Sequence, residues 1–189
     1  MKKMLAFVVA IIIVLAICGG FYYVTQKSKS NTEKEQAVTE ITKLTTRDLS
    51  KNYPKTPREV VKLYNRVLKA YYTEDYTDDE FEKLCDLALA LFDDQLLEEN
   101  PKSDYMLSVA QDVDDYKEAD KSISQTNVCS SNDVRYLQDK DDQVAYVTAS
   151  YFIKEGSDYS KTYQEYVLRQ DDEGRWKILC FYKTEGETE

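Results

Sequence analysis

Tyrosine, carboxylate and cysteine are the side chains with which this sequence could do chemistry, because it contains no histidine. Without imidazole there is no Ser–His or Cys–His pair, and the commonest general base and metal ligand are missing. The 16 tyrosines leave one enzymatic design open. In it, a tyrosine hydroxyl works beside a carboxyl group whose pKa is raised by burial, on a small apolar substrate. No spacing marks such a pair, and tyrosine equally suits half-buried strands and helix–sheet seams. The sequence therefore names no catalytic residue.

The other chemistries fare no better. Four cysteines stand at Cys18, Cys85, Cys129 and Cys180, with no C-x-x-C spacing among them. Cys18 falls in the apolar N-terminal segment, and the remaining three cannot close a disulfide framework, although one pair such as Cys85–Cys180 stays open. Buried, reduced thiols behaving as small apolar groups are the expected state. "DKDDQVAYVTAS" starts like a calcium loop at Asp139, but Val144 and Ser150 occupy the positions that need glycine and glutamate. With five glycines and no G-x-x-x-x-G-K-[ST], nothing cradles a phosphate. No metal and no cofactor is expected. A net charge of −10, from 35 acidic and 25 basic residues, excludes nucleic acid as a partner.

The elements that must position any site come in two runs. "TPREVVKLYNRVLKAYY" opens with Thr56 as N-cap, Pro57 at the first helical position and Glu59 completing a capping box. Val60, Val61, Tyr64, Val67, Leu68 and Tyr71 make its apolar face. "TDDEFEKLCDLALALF" repeats the device with Thr77 and Glu80, and "DDQLLEENP" extends it by about a turn before Pro101. "SDYMLSVAQDVDDYKEA" predicts a third helix with Met106, Val109, Val113 and Tyr116 inward. After Lys121 the period becomes two. A strand bent at 130–132, a turn at "DKDD", and the strands "QVAYVTASYFIK", "TYQEYVLRQ" and "RWKILCFYK" predict an antiparallel meander. Asp171–Gly174 reads as a hairpin loop with Gly174 left-handed. Helices followed by strands indicate an α+β fold: three helices packed on a curved, roughly four-stranded antiparallel sheet.

Before these runs lies "MKKMLAFVVAIIIVLAICGGFYYVTQKSKS", uncharged from Leu5 to Val24. Twenty helical residues rise about 30 Å, enough to cross a bilayer core. The sequence thus predicts a transmembrane anchor over 1–26, touching lipid through residues 5–24, and a juxtamembrane stalk over 27–55. It further predicts a folded domain over 56–184 and an acidic tail over 185–189. In this reading the protein is single-pass in the cell membrane, with its N-terminus cytoplasmic and its C-terminal domain extracytoplasmic. "LAIC" offers an alternative, lipidation of Cys18, against which Ile17 stands where a small residue belongs.

The three helices and the terminal hairpin "YVLRQDDEGRWKILCFY" together resemble the cone-shaped nuclear transport factor 2-like superfamily, over residues 56–184. Ketosteroid isomerase and scytalone dehydratase belong to it. "LTTRDLSKNYPKTPREVVKLYN" and "VAYVTASYF" also resemble an uncharacterised family of short anchored proteins from Gram-positive anaerobes. The superfamily resemblance implies a pocket between helices and concave sheet, used by some members for catalysis and by many for ligand binding, dimerisation or scaffolding. No catalytic position of its enzymes maps onto this chain. The expectation is a membrane-tethered, noncatalytic binding or assembly module. The enzyme of tyrosine and carboxylate chemistry and a purely structural spacer are its alternatives. Strict alternation in the last strand puts Trp176, Ile178, Cys180 and Tyr182 on one face. Leu179 and Phe181 then fall on the other, as a candidate self-association surface for a homodimer or protein partner.

Overall fold

A computed structural model describes residues 40–139 and 142–185. The chain divides into two units, Met1–Glu40 and Ile41–Glu189, and the second carries all the elements described below. It begins with a helical turn at 41–45, whose Ile41 and Leu44 are buried. Tyr53 then donates its hydroxyl to the Trp176 carbonyl at 2.8 Å. Packing in this unit therefore starts well before residue 56.

Helix α1, Pro57–Thr73, forms as its capping box dictates. The Glu59 amide donates to the Thr56 hydroxyl at 3.2 Å, and the Thr56 amide to the Glu59 carboxylate at 3.2 Å. Helix α2, Asp78–Leu89, repeats the motif with Thr77 and Glu80. The chain then leaves helical geometry at Leu91–Asp93 before α3, Asp94–Glu99, and α4, Lys102–Glu118. The cause of that interruption is tertiary. The amide of Ile178 donates to the Leu91 carbonyl at 2.8 Å, and the Asp93 amide to the Ile178 carbonyl at 2.9 Å. Asp93 then caps α3 through its carboxylate, which accepts from the Gln95 amide at 3.0 Å.

The strands are β1, Lys121–Val128; β2, Arg135–Asp139; β3, Asp142–Glu155; β4, Asp158–Gln170; and β5, Trp176–Thr184. They form one antiparallel sheet in the order β1-β3-β4-β5, with β2 also paired to β3. β1 and β2 share one edge of β3, divided by a 3₁₀ turn at Ser131–Asp133. Arg58 of α1 reaches that division and donates to the Cys129 carbonyl at 2.5 Å. The helices cover one face of the sheet over Ala145, Val147, Ala149, Tyr151, Tyr166, Leu168 and Ile178. At the β4–β5 hairpin Gly174 has φ of 74°, and its amide donates to the Asp171 carbonyl at 2.8 Å. The left-handed residue is affordable there because glycine has no Cβ.

The expected architecture needs correction at three points. Among the described residues from Pro57 on, four helices and five strands stand where three helices and about four strands were expected. The extra helix arises at Leu91–Asp93, where pairing with β5 cuts the second predicted helix; the extra strand arises from the break at Ser131–Asp133. No helix among the described residues is long and apolar enough to cross a membrane. α1 and α4 have 17 residues each and carry charges on their wet faces, short of the roughly 20 apolar residues a bilayer demands. The expected transmembrane helix, the single-pass reading and the cell-membrane location are corrected on this finding. The segment on which they rested, including residues 5–24 and Cys18, lies outside the described residues.

The third point is the phase of β5. A bulge opposite Val167 and Leu168 adds Leu179 to the strand. Ile178 pairs with Leu168, but Cys180 pairs with Val167 and Phe181 with Tyr166. Alternation therefore slips by one residue after Ile178. Trp176 and Ile178 face the helices as expected, but Phe181 joins them and Cys180 and Tyr182 turn to the open face. The Phe181 ring lies 5.4 Å from that of Tyr166 and 6.0 Å from that of Tyr64, measured between centroids.

Candidate functional site

The two faces of the sheet offer two places to look. On the helix side, α1 supplies Asn65, β3 supplies Tyr151 and β4 supplies Tyr166, all three buried. The Tyr151 hydroxyl donates to Asn65 Oδ1 at 2.6 Å and contacts the Tyr166 hydroxyl. Tyr166 in turn donates to Gln164 Oε1 at 2.9 Å. Burial pushes the pKa values of Tyr151 and Tyr166 well above the usual tyrosine range, and that of nearby Tyr105 up to about 12. The Tyr151 and Tyr166 hydroxyls are protonated at neutral pH and donate to neutral acceptors, while the Tyr105 hydroxyl and Asn65 Nδ2 are buried without a partner. Among the described residues the buried polar or charged side chains are Asn65, Asp93 and Ser150. The Asp93 carboxylate is taken by Arg169, whose Nε lies 3.1 Å from Oδ2 and whose Nη2 lies 2.5 Å from Oδ1. It belongs to a structural ion pair and helix cap. The hydroxyls meet an amide where acid–base chemistry would need a carboxyl group.

On the open face, a half-open groove of about 550 Å³ runs across the strands beside the break between β1 and β2. Its floor is a grid set by the register. One row runs Asn127, Ser150, Tyr163, Thr184, each paired with the next across β1, β3, β4 and β5. The neighbouring row is Thr148, Glu165 and Tyr182. Glu165 accepts from Arg135 of β2 and, at 2.6 Å, from the Tyr182 hydroxyl. That bond to Glu165 is the main reason the Tyr182 pKa rises to about 12 and the Arg135 pKa also rises. Arg135 also lies over the Tyr146 ring, 4.8 Å from its centroid, and Lys161 lies 4.7 Å from the centroid of Tyr163. Cationic side chains lie over the Tyr146 and Tyr163 rings, whereas Leu137, Tyr159 and Tyr182 of the same face stay exposed.

Cys85, Cys129 and Cys180 are free thiols, buried, half-buried and exposed respectively. Burial raises each pKa above the ordinary cysteine value, so none is an activated thiolate. The exposure of Cys180 follows from the β5 bulge and departs from the buried state expected of it. The two residues proposed for self-association are separated by the same bulge. Leu179 is the inserted, half-buried residue, and Phe181 packs on Tyr64 and Tyr166 while remaining 38% exposed. Sequence reasoning passed over Asn127, Ser150, Tyr163 and Thr184. Their common signal is polar or amphipathic character at alternate strand positions, but only the register aligns them.

Fold and groove together define an α+β domain with a polar groove on the side of its sheet that the described helices leave open. A family model described as "Domain of unknown function (DUF6715)" matches residues 1–181, and the chain belongs to that family. No curated protein matches the sequence.

Proposed function

We propose that the domain is a noncatalytic binding module of the nuclear transport factor 2-like kind, and that its ligand sits in the groove on the open face of the sheet. One observation carries this reading. The helix-facing side is filled by tyrosine rings, with the hydroxyls of Tyr151 and Tyr166 on Asn65 and Gln164, whereas the open face combines a groove of about 550 Å³ with the hydroxyls of Ser150 and Tyr163, which no described residue engages. That volume falls within the range of small-ligand sites. The helices preceding an antiparallel meander support the fold kinship.

Chemical-shift mapping of the full-length protein with a small-fragment library tests the placement. Fragments are expected to perturb Thr148, Ser150 and Tyr163 and to leave Asn65, Tyr151 and Tyr166 unmoved. Fragments collecting around Asn65, with binding lost in Asn65→Leu and kept in Ser150→Ala, would reverse the assignment.

A further inference from the structure

The row Asn127–Ser150–Tyr163–Thr184 has a chemistry of its own. It crosses four strands, and the usual spacing of about 4.8 Å between neighbours makes it about 14 Å long. All four side chains are neutral, and all four line the groove. Ser150 is 9% exposed, yet among the described residues no protein group hydrogen-bonds its hydroxyl. No described residue engages the Tyr163 hydroxyl either, and Lys161 lies over its ring, 4.7 Å from the centroid. Asn127 accepts from Gln125 Nε2 at 3.1 Å through Oδ1, which leaves its amide donors open. Thr184 donates to the Glu185 carbonyl at 3.3 Å, leaving its hydroxyl oxygen free to accept.

Ser150 is thus largely buried while its hydroxyl opens into the groove unengaged by any described residue, which offers a ligand a fixed hydrogen-bonding group at the groove floor. The rest of the groove restricts what that ligand is. Of the described residues lining it, the one cation is Arg135, and Glu165 already neutralises it. Asp133 and Glu185 add negative charge to a chain of net charge −10, so anions are repelled. The groove is half-open and its floor polar, which gives an apolar ligand too little enclosure. What remains is a neutral, elongated molecule rich in groups that both donate and accept, because the row itself offers both kinds.

We propose, building on the binding-module reading above, that this row holds a short neutral oligosaccharide lying across the strands, with its hydroxyls on Asn127, Ser150, Tyr163 and Thr184. Tyr163 contributes its ring edge as well as its hydroxyl. The row is long enough for two or three sugar rings, and its weak individual bonds act together.

Titration of the full-length protein with cellotetraose, chitotetraose and maltotetraose, beside spermine and inorganic phosphate, tests this by amide and side-chain chemical shifts. At least one neutral tetrasaccharide is expected to bind and to shift Asn127, Ser150 and Tyr163 together, while phosphate leaves them unmoved. The double variant Ser150→Ala/Tyr163→Phe is expected to lower that affinity about tenfold, with its thermal midpoint unchanged. Shifts in the row from spermine alone would overturn the sugar assignment and keep the groove as a binding site. Silence of the groove toward all five compounds overturns the sugar assignment, and a fragment library that also leaves the groove silent sinks the binding reading itself.

Discussion

The helix-facing and open sides of the same sheet use the same residue type in opposite ways. Tyr151 and Tyr166 point inward and direct their hydroxyls at Asn65 and Gln164, so the polar tip of each ring is satisfied within the protein. Tyr163 and Tyr182, one strand position away, point outward; one hydroxyl is held by Glu165 and the other is unengaged. Inside, the ring supplies apolar area and its hydroxyl fixes register, because a misplaced donor would be stranded. Outside, the ring is a platform under a lysine or arginine stem and the hydroxyl is available. A high tyrosine content therefore says nothing of catalysis until each ring is assigned a face.

The comparison is most easily broken by alkali. Tyr64, Tyr71, Tyr105, Tyr151 and Tyr166 all have folded pKa values raised, chiefly by burial. The folded chain keeps these protons after the unfolded chain has lost them. Their stabilisation is thus complete below the ordinary tyrosine pKa of about 10 and is lost as pH rises toward the folded values. Each group contributes a loss of about 1.4 kcal/mol per pH unit above that point. A domain of ordinary stability should unfold cooperatively between about pH 10.5 and 11.5, as followed by circular dichroism. A fold intact well beyond pH 12 would mean that the interior hydroxyls are not sealed from water. Next in size, Tyr166→Ala empties a fully buried site and should cost about 3–5 kcal/mol in urea unfolding. The outward counterpart is the smallest effect: Tyr163→Phe should change stability by less than about 0.5 kcal/mol. Equal losses from Tyr166→Ala and Tyr163→Phe would erase the distinction between the faces.

Local chemistry made much of this fold legible in the sequence. The Thr56–Glu59 and Thr77–Glu80 boxes need only residues three apart, and the hairpin needs only Gly174 with its neighbours, so composition and spacing suffice to place them. Long-range pairing set the rest. The end of α2 meets the clasp of Ile178 by Leu91 and Asp93, and the bulge in β5 begins at the next residue; both depend on pairing that no short window contains. Strict period-two reasoning held through Ile178 and then gave the wrong face to Cys180, Phe181 and Tyr182. The groove was illegible for a related reason. Asn127, Ser150, Tyr163 and Thr184 sit on four different strands, and only the pairing makes them a row. Interior Asn65 was also unmarked, since a lone polar residue in a helix reads as part of its wet side until Tyr151 is seen above it.

The division of the first edge into β1 and β2 has a consequence for how this chain behaves in company. An unbroken edge strand presents a continuous line of backbone donors and acceptors, onto which another chain can add a strand and begin to aggregate. Here that line is interrupted by the turn at Ser131–Asp133 and again by the irregular register between Ile123 and Gln125. At the opposite edge the backbone of Leu91–Asp93 already occupies Ile178. Among the described residues neither border of the sheet offers a foreign strand a long, straight template, so its backbone edges do not invite fibrils.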